Sequence, residues 1–328
     1  MLVLSFRDLA AAHAGAVTPG VMVSLGGAIG PAFDWNDPAS LRDRLRSGAA
    51  TYVGDQQTRA GLNGKSLCFL IHGFNVNRDR GYAGLGALAQ ELLGLGPSPV
   101  PGGVEGPPAA GADLVIPVLW PGDWWLPGVN YPFELADARE TAQRFAEFLA
   151  GPALGAASLS FVTHSMGARV ALETLAQARR AAPTDALVLT APAVDDDALD
   201  DPRYAPAIAA VRRIMVVSSV KDSVLRDAFP LGDRVEAALW RGEHSSSRAL
   251  GAFGPRLKPG SPAAAKLRWF QIGAGDDYGH GDYVPGPWKT DERPNGWTPK
   301  RARVGGFLRG AFSGGAFQPI WPPEQPPG

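Results

Sequence analysis

The chain has little of several features that would assign it to a specialised class of protein. A single cysteine, Cys68, cannot form a disulfide within the chain, so a disulfide-stapled framework is excluded. Lysine and arginine number 31 against 32 aspartates and glutamates, a formal net charge of -1, so no overall field attracts nucleic acid or an anionic surface. No apolar run approaches the roughly 18 residues that a membrane helix needs. The composition predicts no nucleic-acid partner and no transmembrane segment.

The start of the chain also lacks the pattern of a secretory signal. Residues 1–6 are apolar, but Arg7 and Asp8 follow before the apolar region of a signal peptide, about 7 residues or longer, can form. We therefore expect a cytoplasmic protein. Cys68 lies within the apolar run 67–71, where a small apolar side chain suits a core position, so we interpret it as a core residue and not as a nucleophile.

From residue 65 onward, short β-rich runs alternate with longer helical patterns. The 41 glycines and 30 prolines suit a fold with many strand-to-helix turns. The β-rich runs are 66–71, 113–120, 158–163, 185–191, 213–218 and 266–272. Between them, apolar residues recur at helical spacing in 82–95, 133–150 and 167–182. This alternation predicts an α/β fold in which a mostly parallel sheet carries helices on both faces.

The remaining segments are assigned around this core. Residues 1–64 contain weak strand candidates at 2–6 and 21–25 and are predicted to pack on the core as N-terminal strands and loops. The core is predicted over 65–312. Within it, 225–265 lacks an obvious strand and is a candidate lid or insertion, and 313–328, rich in proline and glycine, is predicted to be a tail.

The five residues from Thr163 to Gly167, Thr-His-Ser-Met-Gly, follow a predicted strand and open a predicted helix. A sharp strand-to-helix turn of this kind is the nucleophile elbow, which lifts a serine above the edge of the sheet. The helix N-terminus then lies at Ser165, where the N–H of Met166 could bind an oxyanion. Small residues flank many serines by chance, but the strand and the helix favour Ser165 as a catalytic nucleophile.

The first core strand ends in His72-Gly73-Phe74. In a hydrolase with a nucleophile elbow, the turn after this strand supplies the second oxyanion donor, here the N–H of Phe74. His72 and Gly73 would let the backbone come close to the substrate, and we count His72 among the substrate-binding residues. The alternative is an ordinary turn with a structural histidine.

A serine nucleophile needs a base and a carboxylate that orients the base. In the fold that carries a nucleophile elbow, the chain order is serine, acid, histidine. His280 lies in the segment 276–283 that comes after the last strand run, whereas His244 follows no strand. Asp222 follows the strand run 213–218 and is the predicted acid. Asp195 is the alternative, although the three adjacent acids at 195–197 are typical of a solvated turn.

Three tryptophans, Trp120, Trp124 and Trp125, follow the second core strand at the same predicted edge as Ser165. They would pack in the core or form an apolar wall for the substrate, and we assign them to substrate binding.

The sequence predicts neither a cofactor nor a metal. The segment 61–66 resembles the end of a phosphate-binding loop, but Arg59 stands where that pattern needs glycine, and the segment precedes its strand. The acid-rich segment 276–282 lacks the ligand spacing of a zinc site or an EF-hand.

The chain resembles the α/β-hydrolase superfamily, and within it a poorly characterised, mostly bacterial branch of serine hydrolases. The resemblance spans about 65–283 and rests on three motifs. They are His72-Gly73-Phe74, Trp120-Pro121 and His164-Ser165-Met166-Gly167. Ala191-Pro192, the place of Asp222 and the ending His280-x-x-Tyr283 are also similar, whereas Thr163 departs from the alanine or glycine common there. The resemblance implies a triad of Ser165, Asp222 and His280.

Together, these patterns predict hydrolysis of a small-molecule carboxylic ester through an acyl-enzyme. Thioesterase, lipase and acyltransferase activities share the same residues and are alternatives. A non-catalytic binding protein that kept the fold is an alternative from another class.

Overall fold

The computed structural model describes residues 2–8, 16–25, 50–74, 112–123, 131–230, 247–272 and 278–284, with single positions at 76, 81, 84–86, 88, 89, 92, 300, 304 and 308. Within them lies a nine-stranded sheet. Its strands are β1 (Leu2–Ser5), β2 (Val21–Leu25), β3 (Ala50–Val53), β4 (Ser66–Ile71), β5 (Leu114–Leu119), β6 (Ser158–His164), β7 (Thr184–Thr190), β8 (Val211–Ser219) and β9 (Leu267–Ile272). The labelled helices are α1 (Asp55–Leu62), α2 (Tyr131–Ala150), α3 (Gly167–Gln177), α4 (Ala205–Ala210) and α5 (Leu250–Phe253).

The strands lie in the order β3-β2-β1-β5-β4-β6-β7-β8-β9. β2 pairs antiparallel with β1 and β3, and the other neighbouring pairs are parallel. After β4 the chain goes to β5 on one side, and it then returns to β6 on the other. The strand order therefore reverses between β4 and β6. In open α/β sheets, ligands bind beyond the carboxyl ends of the strands at such a reversal.

The central strands are buried on both faces of the sheet. On β4, Leu67, Phe69 and Ile71 belong to one hydrophobic core, and Cys68 and Leu70 belong to the other. This division follows from the two-residue period of a strand. Burial raises the pKa of the Cys68 thiol to about 12, so the residue stays an uncharged thiol, as a core position requires.

Helix α2 packs an aromatic stripe against the sheet. The ring of Phe145 contacts Phe69 edge-on, with centroids 5.0 Å apart, and it lies 5.3 Å from the ring of Phe6. Such aromatic pairs contribute about 0.5–1.5 kcal/mol each beyond the area that they bury. Described residues between Gly81 and Leu92 are helical and contribute Leu85, Leu88 and Leu92 to the other core. The predicted α/β class, with helices on both faces of a mostly parallel sheet, is confirmed.

The six core strands predicted from the sequence all form, and their ends differ from the prediction by two residues or fewer. The N-terminal strands β1 and β2 also form. Strand β3 is a third strand within 1–64, beyond the two candidates, and helix α1 lies where only strands and loops were expected. Helix α3 ends at Gln177 instead of 182, because Ala178 leaves helical geometry with ψ 86° on the way to β7.

Two described parts of the candidate lid 225–265 contain helical turns. Val224–Ala228 is one turn of π-helix. Helix α5 packs against the loop after β7, where a Cβ at Gly251 would lie 2.5 Å from the carbonyl carbon of Ala191. A lid role stays a prediction. Residues 231–246 of the candidate lid and the tail 313–328 lie outside the described residues.

Candidate active site

Ser165 occupies the tight turn between β6 and α3. Its φ of 54° lies in the left-handed region, which costs a non-glycine residue energy and is often found at functional turns. Gly167 meets the steric demand of the turn, because a Cβ there would lie 2.7 Å from the carbonyl oxygens of Ile71 and His72. Thr163 is tolerated, because its buried hydroxyl donates to the carbonyl of Val188 at 3.3 Å.

The turn after β4 passes directly beside Ser165. A Cβ at Gly73 would lie 2.7 Å from Cβ of Ser165, so this backbone position has room only for glycine. Phe74 and Met166 both line the same cavity as Ser165. Met166 precedes the first residue of α3, and the N–H groups at a helix start have no acceptor within the helix. The two predicted oxyanion residues therefore lie on the cavity next to Ser165.

The imidazole of His280 joins Ser165 to Asp222. Its Nε2 lies 2.9 Å from Oγ of Ser165, and its Nδ1 lies 2.8 Å from Oδ2 of Asp222. The carboxylate of Asp222 is fully buried, whereas the ring of His280 is 20% exposed. With the proton on Nδ1, the ring donates to Asp222 and its Nε2 can accept the proton of the serine hydroxyl.

The turn that follows β8 holds Asp222 in place. Its backbone N–H donates to the carbonyl of Ser219 at 3.1 Å, and its Oδ1 accepts a hydrogen bond from the N–H of Leu225 at 3.1 Å. One carboxylate oxygen thus binds the backbone of its own turn, and the other faces His280. This division orients the carboxylate toward the ring.

His164, the residue before Ser165, contacts His280. Nε2 of His164 donates to the backbone carbonyl of His280 at 2.9 Å, and the two ring centroids are 4.9 Å apart. His164 is 7% exposed. From the sequence, His164 was only a member of the elbow motif, and its contact with His280 was not predicted. No local pattern reveals a contact between residues 116 positions apart.

The alternative acid, Asp195, lies in the loop after β7. Asp195 and Asp196 are 6% and 1% exposed, so the expected solvated turn at 195–197 is wrong. The carboxylate of Asp196 binds Arg248 at 3.0 Å and Arg256 at 3.0 Å. These arginines come from the segment around α5, and their charges allow Asp196 to be buried. The carboxylate that contacts His280 belongs to Asp222.

His72 and Trp120 pack against each other in the interior of the protein. Both are buried, and their rings stack with centroids 5.5 Å apart. Nε2 of His72 accepts the backbone N–H of Trp120 at 3.2 Å, and Nε1 of Trp120 donates to the carbonyl of His72 at 2.9 Å. Burial lowers the pKa of His72 to about 3, so the ring stays neutral. Neither residue is among the described residues that line the cavity.

The remaining predictions concern three further side chains, a metal site and a membrane helix. Trp124, Trp125 and His244 lie outside the described residues. Among the described residues, no group of three or more histidine, cysteine, aspartate or glutamate side chains could hold a metal ion. No described helix is both long enough and apolar enough to cross a membrane.

A cavity of about 400 Å³ opens beside Ser165, a volume near the lower end of the usual range for small-molecule sites. Its lining is mostly apolar. The described lining residues are Phe74, Val76, His164, Ser165, Met166, Ala193, Val224, Leu225, Ala228, Phe229, His280 and Gly281. The cavity therefore places an apolar space next to the Ser165 hydroxyl.

The mostly parallel sheet and the serine turn at its carboxyl edge define an α/β-hydrolase fold. Residues 57–239, more than half of the chain, match a family described as alpha/beta hydrolase of unknown function (DUF900), and the chain belongs to that family. Among curated proteins, none matches the chain. A solved structure titled "m3DLH" is similar at 15% identity and a TM-score of 0.39, over 80% of this chain and 90% of its own.

Proposed function

We propose that the protein is a serine hydrolase that cleaves carboxylic esters through an acyl-enzyme. The observation that carries this proposal is the continuous chain of hydrogen-bond distances from Ser165 through His280 to Asp222, 2.9 and 2.8 Å. These distances are within the range expected for a nucleophile, its base and the group that orients the base.

In the proposed mechanism, Oγ of Ser165 attacks the ester carbonyl carbon while Nε2 of His280 takes the hydroxyl proton. Asp222 stabilises the imidazolium that forms. The N–H groups of Phe74, in the turn after β4, and of Met166, at the start of α3, stabilise the negative charge on the carbonyl oxygen. When the tetrahedral intermediate collapses, the bond to the alcohol oxygen breaks, and His280 returns its proton to the leaving alcohol.

Water then hydrolyses the acyl-enzyme, with His280 again transferring the proton. His280 removes a proton from a water molecule, the resulting hydroxide attacks the acyl carbon, and the bond to Oγ of Ser165 breaks. The carboxylic acid leaves, and Ser165 regains its proton from His280. No cofactor is required for these steps.

The nucleophile is tested with a fluorophosphonate probe and a p-nitrophenyl ester. We expect Ser165→Ala to abolish labelling and to lower turnover by about a million-fold, because removal of a triad nucleophile has that cost. Ser158→Ala is the matched control, since Ser158 is half-buried at the first residue of β6, the end of the strand away from the turn. Labelling that survives in Ser165→Ala would contradict the assignment, and an unlabelled wild type would favour a non-catalytic binding protein.

The acid is tested by a pair of amide substitutions. We expect Asp222→Asn to lower turnover by about ten-thousand-fold, because an amide favours the wrong tautomer of the histidine. Asp195→Asn should retain most of the activity, since Asp222 is the carboxylate in contact with Nδ1 of His280. Steady-state turnover of the two variants is compared with that of the wild type. The reverse ranking would move the acid to the loop after β7.

A further inference from the structure

The turn that carries the acid also forms one wall of the cavity. Directly after Asp222, the π-helical turn Val224–Ala228 runs along the cavity, and Phe229 follows it. Within this wall, Leu225 and Phe229 are buried, at 2% and 3% exposed, and Val224 and Ala228 are exposed. Single π-helical turns are rare and frequently occur at functional sites.

This wall is supported from behind. A Cβ at Gly251 in α5 would lie 2.5 Å from Cδ1 of Leu225, so helix α5 packs directly against the leucine. The N–H of Leu225 donates to Asp222 at 3.1 Å, and the N–H of Arg226 donates to the Asp222 carbonyl at 3.0 Å. The wall and the acid are therefore parts of one anchored turn.

The described lining presents few polar groups. Its polar side chains are His164, Ser165 and His280, and each of them already has a hydrogen-bond partner within this cluster. No lysine, arginine, aspartate or glutamate is among the described lining residues. The lining therefore favours an uncharged group, which gains free energy by leaving water.

The place of His280 separates the two halves of an ester. Its ring is 20% exposed, and the leaving alcohol must receive a proton from it. The alcohol oxygen must therefore lie next to Nε2 of His280. The apolar wall at residues 224–229 is then available for the acyl chain.

We propose that the wall formed by Val224, Leu225, Ala228 and Phe229 binds the apolar acyl chain of an uncharged ester and determines the preferred chain length. This assignment rests on the proposed function, because it takes Ser165 as the nucleophile. The wall predicted at Trp124 and Trp125 lies outside the described residues and stays a separate prediction.

The first experiment reduces the volume of the cavity at one lining position. Ala228→Leu adds volume at an exposed lining position, and Ala209→Leu is the matched control at an exposed alanine of α4. We expect Ala228→Leu to lower kcat/KM for p-nitrophenyl octanoate by about 10- to 100-fold more than for the acetate, since a methylene in a pocket is worth about 10-fold or more. Ala209→Leu should leave the ratio unchanged.

A second pair removes apolar volume instead. Val224→Ala shortens a lining side chain that is 45% exposed, and Val220→Ala does the same at a position 39% exposed that is not among the described lining residues. We expect only Val224→Ala to change the octanoate-to-acetate ratio, by several-fold. A series of alkyl acetates distinguishes the two halves of the ester. Dependence on alkyl length alone would overturn the acyl assignment.

A binding measurement keeps this proposal separate from the proposed function. Octanamide binding to the Ser165→Ala variant, measured by calorimetry, needs no catalysis. We expect Ala228→Leu in that background to weaken binding at least 10-fold and Ala209→Leu to leave it unchanged. Equal octanamide affinities of the Ala228→Leu and Ala209→Leu proteins would overturn the assignment of the acyl-binding wall. A wild type that binds octanamide but is not labelled by fluorophosphonate would overturn the hydrolase proposal alone.

Discussion

Burial keeps the imidazole of His72 neutral, and this has a consequence for stability. Its pKa falls from 6.5 to about 3 in the folded protein, chiefly because burial penalises the charged ring. The unfolded chain takes up the proton near its ordinary pKa, whereas the folded protein does not. The free energy of unfolding is therefore not reduced by His72 above about pH 6.5. As the pH falls from there toward about 3, it decreases by roughly 1.4 kcal/mol per pH unit.

We expect His72→Gln to reduce this dependence on pH. Urea unfolding of the wild type and the variant at pH 7, 6 and 5 gives the free energy of unfolding at each pH. Between pH 6 and 5, the wild type should lose up to about 1.4 kcal/mol more than His72→Gln, which corresponds to one proton. Parallel curves for the two proteins would show that His72 is protonated equally in both states.

His164 is expected to position the base. Its Nε2 holds the carbonyl of His280 at 2.9 Å, so it links the elbow to the backbone of the histidine. We expect His164→Leu to lower kcat by up to about 100-fold with a smaller change in KM, because small displacements of a catalytic group have costs of that size. His164→Gln can place an amide N–H near the same carbonyl and should recover part of the loss. Equal losses in kcat for the leucine and glutamine variants would contradict a role through this hydrogen bond.

At the scale of elements, the packing of α3 against the end of β4 depends on Gly167. A Cβ at that position would lie 2.7 Å from two backbone oxygens, which cannot move aside as a flexible side chain can. We expect Gly167→Ala to lower the free energy of unfolding by about 1–3 kcal/mol, the usual cost of overpacking. Chemical denaturation measures this loss.

Gly61→Ala is the control for the same substitution. Gly61 lies in α1, and a Cβ there would have nothing within 4 Å. We expect this variant to gain about 0.5–1 kcal/mol, because alanine has the higher helix propensity and loses less backbone entropy on folding. If both substitutions had the same effect, steric contact at Gly167 would not be the cause.

At the scale of the whole molecule, a buried ion pair joins the N-terminal strands to the hydrolase core. Nη1 of Arg7, just after β1, lies 2.8 Å from Oδ1 of Asp123, which follows β5. The two side chains are 0% and 4% exposed. Removal of one partner leaves the other charge buried without its counter-ion. This pair therefore links the end of β1 to the end of β5 in the interior of the protein.

We expect Asp123→Asn to destabilise the protein by about 3–5 kcal/mol in urea unfolding. The double variant Arg7→Met with Asp123→Leu removes both charges and should lie closer to the wild type, since apolar replacements of buried pairs are often neutral. A double variant as unstable as Asp123→Asn would mean that shape, and not charge, is the main requirement at this place.

The N-terminal segment shows where prediction from local patterns ends. β3 is a four-residue strand at the edge of the sheet, and Tyr52 in it is 62% exposed. α1 buries only Thr58 and Leu62 among its eight residues. Neither element carries the apolar alternation or stripe by which a strand or helix is recognised. β3 forms because β2 pairs with it, and α1 contributes Leu62 to one of the hydrophobic cores.

The sequence by itself determined the features that depend on neighbours in the chain. Apolar runs determined the core strands, and a strand, a small-residue turn and a helix in direct succession determined the sharp turn at Ser165. Only the tertiary structure decided which groups meet across 58 and 115 positions, namely Asp222 with His280 and His280 with Ser165. It also decided that arginines 248 and 256 neutralise Asp196 and that the turn after Asp222 lines the cavity. The physical reason is that strand and helix periods act over a few residues, whereas charge pairing and cavity shape depend on where distant segments come together.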